Sequence, residues 1–162
     1  MKNKYFYIFV FFATIPPSLL YLYYMDKNKL RHEGVNCYAQ VQYDYVFPEH
    51  HDVIDTGLIF SLANGKGIIS YSGNLTYGAQ SYKIDRYAEV TYTLKNETSF
   101  LIRTKKLVVE TYDNLPNELA KKYLYSYMRE NQGWLNVSIH PSANGGYLFY
   151  TSPIPQFYCK KM

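Results

Sequence analysis

Apolar and polar residues alternate one by one along much of this chain, and this two-residue period is what most limits the folds open to it. The segment CYAQVQYDY, from Cys37 to Tyr45, places its cysteine, alanine, valine and tyrosines on one side and its glutamines and aspartate on the other. The same period returns in GLIFSLA, IISYSGNLTYG and KIDRYAEVTYTL. Successive side chains of a strand point to opposite faces, so each segment is a predicted strand with one buried face.

Turn signals separate the predicted strands. Asn64-Gly65 is the strongest short hairpin signal, and Gly73 inside a predicted strand indicates a bend or a close backbone approach. Residues 48–55 (PEHHDVID) break the alternation and are a predicted loop. In FLIRTKKLVVE, which starts at Phe100, apolar residues of both parities occur, so the register of this strand stays open.

One helix is predicted over about residues 115–131, within YDNLPNELAKKYLYSYMRENQGW. Asp113 or Asn114 can cap its start, Pro116 suits its first turn, and Gly133 can end it. Apolar residues spaced by three or four form one stripe: Leu115, Leu119, Tyr123, Leu124, Tyr127 and Met128. Two more strands and a short tail, IPQFYCKKM, follow. The predicted fold class is mainly β with one α-helix, a meander that curls into a sandwich or a barrel.

The N-terminal residues predict a membrane anchor. Tyr5 to Met25 holds no charged residue and is long enough to cross a bilayer. A cleaved secretory signal is the alternative, although Leu-Tyr-Tyr-Met at its end lacks the small residues that cleavage prefers. A charged head, one apolar segment and then a whole domain is the order of an export signal. We therefore predict a cytoplasmic N-terminus (1–4), a transmembrane anchor (5–25), a juxtamembrane linker (26–36) and an exported β domain (37–162).

Cys37 and Cys159 are the only two cysteines. Exported domains sit where disulfides persist, so we expect these two residues to bond to each other. Two free thiols or an intermolecular bond are the alternatives. Acylation of Cys37 as in a lipoprotein fits poorly, because Gly34-Val35-Asn36 lacks the usual lead-in and the apolar run ends well before it.

Composition and motifs argue against several functions. Residues 26–162 carry all 13 acidic residues and all but two of the 17 lysines and arginines, so no basic patch indicates nucleic acid as a partner. The run PEHHD and nearby Asp55 hold potential metal ligands, but no second cluster completes a site, and a solvated loop is the simpler interpretation. No nucleophile elbow or phosphate loop occurs. We expect no catalytic residue, no metal and no cofactor.

Arg86 shares the inward face of its predicted strand with Ile84 and Ala88. A buried charge is costly without a partner, so Arg86 either reaches a rim, pairs with an interior carboxylate, or meets the acid group of an amphipathic ligand. The last interpretation predicts a ligand pocket lined by Arg86, Tyr43, Phe60, Tyr71 and Tyr92. Core packing and an aromatic protein–protein surface are the other roles open to the tyrosines.

Several pieces of the sequence, in this order, resemble the FidL-like family of small inner-membrane proteins of enteric bacteria. They are the anchor, the cysteine soon after it, GKGIISYSGNLTYG, the arginine of YKIDRY, YDNLP before the helix, and GYLFYTSPIPQFYC at the end. The resemblance covers nearly the whole chain.

This resemblance implies the small subunit of a sensor pair. Family members look like partners of ToxR-like, membrane-anchored transcription factors. In the VtrA/VtrC type, the small subunit forms a lipocalin-like β-barrel that the regulator's periplasmic domain completes, and the barrel binds bile salts. The implied protein is a single-pass inner-membrane subunit, mostly periplasmic, that stabilises such a regulator and acts in virulence gene control. A ligand-independent assembly chaperone of the regulator and a stand-alone lipocalin-like carrier of apolar molecules remain alternatives.

Overall fold

The computed structural model describes residues 17–19, 21, 34–48 and 50–162. The predicted cytoplasmic N-terminus (1–4) lies outside these residues, as do most of the predicted anchor (5–25) and most of the predicted linker (26–36). Within the described ranges, no helix combines the length and the apolar character needed to cross a membrane.

Eight antiparallel strands follow one another around a closed barrel, each hydrogen-bonded to its neighbours in sequence. They are β1 (Val35–Val46), β2 (His51–Ala63), β3 (Lys66–Tyr77), β4 (Gln80–Leu94), β5 (Ser99–Val109), β6 (Trp134–Pro141), β7 (Tyr147–Tyr150) and β8 (Pro155–Lys161). Between β5 and β6 the chain forms helix α1 (Asn117–Tyr123) and a 3-10 turn (Ser126–Met128). The expected fold class, mainly β with one α-helix, is confirmed, and the barrel rather than the sandwich is what forms.

The barrel closes within this single chain. β1 pairs with β2 along its whole length, and its other edge meets β8 at Cys37–Lys161 and Tyr38–Lys160. The C-terminal residues therefore form the closing strand and not the short tail that the sequence predicts. The sequence leaves open whether the barrel closes without a partner, and in this chain β8 supplies the last strand.

The predicted alternation holds in the strands and builds the core. In β1, buried and exposed residues alternate from Val35 to Gln42, and the inward residues of β4 are buried from Ile84 to Tyr92. Each large apolar side chain taken out of water contributes about 1.5–3 kcal/mol relative to leaving it exposed. The largest fully buried side chains are Phe60, Phe100, Phe149, Ile54, Ile69, Leu75, Ile84, Ile102, Met128 and Ile139.

The predicted loop over residues 48–55 is wrong, since β2 already begins at His51. Asp52 occupies an inward position, ahead of Ile54, Thr56 and Leu58 on the same face. Because Asp52 is charged, its inward position does not appear as part of the apolar–polar alternation in the sequence. It is tolerated there because partners inside the barrel satisfy its carboxylate, as described below.

Two glycine predictions are confirmed. Asn64 and Gly65 both have positive φ (51° and 78°) and form the two-residue turn of the β2–β3 hairpin. At Gly73, a Cβ atom would collide with the backbone oxygen of Asp55 on β2, so the two strands approach closely only because this residue has no side chain.

A β-bulge explains the open register of β5. Glu89 of β4 pairs with Lys106 while Val90 pairs with Thr104, so Lys105 is an extra residue on β5. The inward face therefore changes parity at Lys105, from Phe100 and Ile102 before it to Leu107 after it.

The predicted helix over about 115–131 is too long. α1 spans Asn117–Tyr123, and Leu124 is already extended, with φ −103° and ψ 142°. A helix continuing to residue 131 would be about 25 Å long and would carry the chain away from β5. Instead Thr104 of β5 holds the returning chain: its hydroxyl donates to Tyr127 O (2.8 Å), and its backbone bonds to Gln132 and Gly133.

The predicted caps are used elsewhere. No side chain caps α1, which starts after Pro116. Asn114 Oδ1 accepts a hydrogen bond from the Lys83 amide (2.6 Å), and Asp113 binds Arg86. The predicted apolar stripe is nevertheless buried at all positions except half-buried Leu119, because both the helix and the turn after it cover one end of the barrel.

The predicted disulfide between Cys37 and Cys159 is confirmed. Both cysteines are fully buried, and the bond lies where β1 and β8 meet. The crosslink therefore secures the seam of the barrel at the end where its two edge strands pair.

Candidate functional site: a tyrosine-lined cavity

A cavity of about 320 Å³ lies at the end of the barrel that α1 and the 3-10 turn cover. Three strands, the segment Lys122–Met128 and one residue of β8 form its wall; we call Lys122–Met128 the cover segment. The lining residues are Tyr43, Tyr45, Leu58, Tyr71, Lys122, Tyr123, Leu124, Tyr125, Tyr127, Met128 and Gln156. Six of them are tyrosines, so the wall is apolar along the rings and polar at the hydroxyl groups.

Strand parity and the shortness of α1 together place these side chains. Tyr43 and Tyr45 continue the inward row of β1, and Leu58 and Tyr71 are inward residues of β2 and β3. Because the helix ends at Tyr123, the residues that follow turn back across the barrel end. The cover segment thus brings three tyrosines opposite those of the strands.

Four of the cavity tyrosines, Tyr43, Tyr45, Tyr71 and Tyr127, have a raised pKa and stay protonated well into the alkaline range. Burial, with a smaller contribution from neighbouring tyrosines, raises the pKa of Tyr43 to about 12. Burial likewise raises the pKa of Tyr45, Tyr71 and Tyr127 above the usual value of tyrosine. At physiological pH each hydroxyl can therefore both donate and accept a hydrogen bond.

Asp52 does not line the cavity but binds Tyr123, one of the residues that do. Its fully buried carboxylate accepts hydrogen bonds from the Tyr123 hydroxyl and from the Gly78 amide (3.2 Å). Burial alone would raise the pKa of Asp52, but these hydrogen bonds and the nearby His50 and Lys122 outweigh it, so the pKa is lowered. The same contact, after burial itself, raises the pKa of Tyr123.

His50 and Lys122 flank this carboxylate less directly. His50 Nε2 lies 3.2 Å from Asp52 Oδ2 but forms no hydrogen bond with acceptable geometry. Lys122 Nζ lies 3.8 Å from the same oxygen, too far for a strong hydrogen bond.

Aromatic rings hold the Lys122 ammonium group in place. Nζ lies 4.5 Å from the ring centroid of Phe47, 4.8 Å from that of Tyr123 and 5.4 Å from that of Tyr77. Such cation–π contacts orient a lysine without using its hydrogen-bond donors. Lys122 is the only cationic residue that lines the cavity in the described part of the chain.

The structure brings together two of the five predicted pocket residues. Tyr43 and Tyr71 line the cavity. Phe60 packs in the core against Phe149, with ring centroids 4.5 Å apart, and Tyr92 packs against Phe100 at 5.4 Å. Neither Phe60 nor Tyr92 reaches the cavity wall.

Arg86 lies beside Asp113 and not on the cavity wall. Its Nε and Nη2 donate to the two Asp113 carboxylate oxygens at 2.6 and 2.9 Å, and both side chains are almost fully buried. Burial would raise the pKa of Asp113, but the Arg86 contact and the Asp85 and Leu115 amides lower it. Of the roles that the sequence leaves open for Arg86, pairing with an interior carboxylate is the one that the structure displays.

Sequence reasoning missed the site residues contributed by the cover segment and by β2. The sequence predicts a packing stripe that includes Tyr123 and Tyr127 and a loop that includes Asp52, and it assigns no role to Lys122. One signal was available: continuing the alternation of β2 backwards from Leu58 through Thr56 and Ile54 places Asp52 inside the barrel.

Comparison of the chain with protein-family models, with curated proteins and with solved structures gives no match. Among the described residues, no group of histidine, cysteine, aspartate and glutamate side chains could hold a metal ion. The cavity itself offers tyrosine hydroxyls, apolar ring surfaces and the Lys122 side chain.

Proposed function

We propose that this protein binds an amphipathic anion, such as a bile salt, in the tyrosine-lined cavity. The observation that carries the proposal is the composition of that wall: flat apolar rings, several neutral hydroxyls and one cation. A hydroxylated steroid with an acid group offers the matching surfaces. The cavity volume is at the lower end of the range for small-molecule sites, so part of such a ligand would protrude at the mouth.

Lys122 replaces Arg86 as the anchor for the acid group. Arg86 is already paired with Asp113, whereas Lys122 lines the cavity and its Nζ lies 3.8 Å from the Asp52 carboxylate, too far for a strong hydrogen bond. Asp52 opposes an incoming anion, but it does not line the cavity. An anion touching Nζ from the cavity side is therefore closer to Lys122 than to Asp52, and attraction outweighs repulsion.

The biological setting of this proposal comes from the resemblance to the FidL-like family. We place the protein as an accessory sensor subunit that pairs with the periplasmic domain of a ToxR-like regulator in the inner membrane. A ligand bound only by the folded pair would stabilise it by mass action and shift the regulator's output without catalysis.

The test is a binding titration of the full-length chain with cholate, below the concentration at which cholate forms micelles. We expect saturable binding that weakens at least about tenfold in Lys122→Gln, since a charge-assisted hydrogen bond is lost. Lys121→Gln is the matched control, because Lys121 is exposed and does not line the cavity, and its affinity should equal that of the wild type. Equal affinities for all three proteins would remove Lys122 from the site; no binding at all would end the proposal.

The partner requires a separate measurement. Co-expression with the periplasmic domain of a ToxR-like regulator encoded beside the gene should give a complex whose melting temperature rises with cholate. A complex with no thermal response to any amphipath would leave the assembly-chaperone function. Absence of a complex would remove the regulator from the proposal.

A stand-alone carrier is the second candidate, and one observation favours it. The up-and-down arrangement of eight strands closes without any partner, as in lipocalin-like carriers of small apolar molecules. The carrier function predicts cholate affinity that is the same with and without the regulator domain, which the titration above can measure.

A further inference from the structure

A second concavity, of about 520 Å³, lies on the outside of the barrel between the 3-10 turn and β6. Its lining residues are Leu124, Tyr125, Ser126, Arg129, Trp134, Leu135, Asn136 and Thr151. We call it the β6 groove. It exists because β7 ends at Tyr150, so the first half of β6 has no strand beside it on that side.

The hydrogen bonds of β6 show which backbone groups face the groove. Ser126 Oγ accepts from the Trp134 amide (3.0 Å) and donates to the Trp134 carbonyl (2.9 Å), on the side away from β5. Further along, Ser138 pairs with Tyr150 of β7, whereas the Ile139 amide donates towards β5, to Thr98 O. Because strand residues alternate in direction, Asn136 points its amide and carbonyl away from β5, into the groove.

The side chains around Asn136 are those that dominate protein interfaces. Trp134 is 59% exposed and Tyr125 is 53% exposed, although both are large aromatic residues. Tryptophan, tyrosine and arginine are the residue types most enriched at the energetic centres of interfaces.

The groove also carries positive charge. Arg129 is the only charged residue that lines it in the described part of the chain. Arg129 donates from Nη1 to Lys121 O (2.9 Å) and from Nε to Oε1 of the exposed Glu130 (3.4 Å), so these two bonds use only two of its five N–H donors. Arg103 lies opposite Trp134 in the β5–β6 register and adds a second cation nearby.

We propose that the β6 groove docks an extended, acidic segment of a partner protein, which adds as a short strand at Asn136. The segment's backbone pairs with the Asn136 amide and carbonyl, and its side chains alternate between Trp134 and Tyr125 and the solvent. A carboxylate on the segment pairs with Arg129, for which guanidinium–carboxylate geometry is well suited.

The groove and the cavity share a wall. Leu124 and Tyr125 line both, so a ligand in the cavity and a segment in the groove would contact the same two residues. Through these shared residues, occupation of one site is expected to change the affinity of the other, and linkage makes that change the same factor in both directions. This coupling rests on the proposed function of the cavity, whereas the docking itself does not.

The test uses short random peptides displayed on phage, selected on the full-length chain and counter-selected on Trp134→Ala. Enriched peptides should alternate apolar and polar residues and contain aspartate or glutamate. The dissociation constant of the best peptide should rise at least about tenfold in Trp134→Ala. Tyr112→Ala is the control, since Tyr112 is 75% exposed and lies outside the groove, and it should bind as the wild type does.

Two substitutions at one position separate strand addition from side-chain contact. Asn136→Pro removes the amide that faces the groove and should abolish peptide binding, while Asn136→Ala keeps the amide and should preserve it. The amide of Asn136 should also exchange more slowly with solvent when the peptide is bound to the wild type. No enriched peptide, a basic consensus, or no protection of that amide would overturn the docking proposal.

The coupling is measured by repeating the peptide titration in saturating cholate. A change of at least about fivefold in the peptide's dissociation constant is expected. An unchanged constant with cholate bound would overturn the coupling. Failure of cholate to bind would overturn the function of the cavity and leave the peptide result standing.

Discussion

Arg86 illustrates how an inward charge can be structural. Its guanidinium and the Asp113 carboxylate meet in two parallel hydrogen bonds, and the carboxylate also accepts the amides of Asp85 (3.0 Å) and Leu115 (3.1 Å). The pair ties β4 to the chain just before α1. It therefore sets where the cover segment starts its path across the barrel.

Breaking this pair should destabilise the barrel strongly. Asp113→Ala leaves a buried guanidinium without its partner and should lower the free energy of unfolding by about 3–5 kcal/mol. The double substitution Arg86→Met with Asp113→Ala should recover part of that loss. Urea unfolding measures both. Glu118→Ala, which removes an exposed ion pair with Lys121, should cost less than about 1 kcal/mol; an equal cost for the two single variants would contradict the argument.

The same carboxylate predicts how stability varies in acid. The pKa of Asp113 is lower in the folded chain than its ordinary value, so the unfolded chain binds the proton first as the pH falls. The contribution of the Asp113 carboxylate to the free energy of unfolding is fully present above the ordinary aspartate pKa of about 3.9. It is lost as the pH falls through the lower pKa that Asp113 has in the folded chain. Unfolding free energies measured between neutral pH and strong acid should therefore decline below that value, and less steeply in Asp113→Asn. A stability that increases towards acid would refute this assignment.

At the scale of single elements, β5 depends on one extra residue. Lys105 lets Phe100 and Ile102 and then Leu107 face the interior in spite of their opposite parity. Without it, one half of the strand would turn its apolar side chains to solvent.

Deleting Lys105 tests this role of the bulge. The deletion should either expose Leu107 or rotate Phe100 and Ile102 outward, so unfolding should become easier by several kcal/mol or folding should fail. Lys105→Ala keeps the extra residue and, as a surface substitution, should change stability by no more than about 0.5 kcal/mol. Chemical denaturation of both proteins provides the comparison. Equal stabilities would show that β5 can pair with β4 without the bulge.

Strand parity made most of this architecture predictable, because each strand buries a single face. Tyr43 and Tyr71 were placed on the inward side in that way, as was the burial of Arg86. Parity does not say how far along the barrel a side chain lies, so Phe60 and Tyr92, which belong to the core, could not be distinguished from the cavity wall. The helix stripe predicted burial of Tyr123 and Tyr127 but not the turn at Leu124, which depends on contacts with Thr104, distant in sequence.

At the scale of the whole molecule, the barrel closes through a short seam and a crosslink. β1 and β8 pair at only two positions, and Cys37 and Cys159 lie 122 residues apart in sequence. A crosslink between residues so far apart in sequence strongly restricts the unfolded chain. The chain-entropy model puts the resulting stabilisation of the folded protein at about 4–5 kcal/mol.

Removing the crosslink should therefore weaken the seam before the rest of the barrel. In Cys37→Ala with Cys159→Ala, the unfolding free energy should fall by up to about 4–5 kcal/mol, and the amides of β8 should exchange with solvent faster than those of β3. Hydrogen exchange and denaturation measure the two effects. A reductant should destabilise the wild type but leave the double variant unchanged; uniform acceleration in all strands would instead indicate global unfolding.

The disulfide also marks the end of the barrel at which the chain enters β1 and leaves β8. The described chain enters β1 at Gly34 and leaves β8 at Met162, both at the pole marked by the disulfide. Tyr43 lies six residues after Cys37 along β1, which is about 20 Å at the rise of a strand. If the predicted N-terminal anchor tethers the barrel to a membrane, the cavity lies at the end of the barrel farther from that tether. In that arrangement the ligand that we propose would reach the cavity from solution and not by lateral diffusion in the bilayer, so occupancy of the cavity would follow the dissolved concentration.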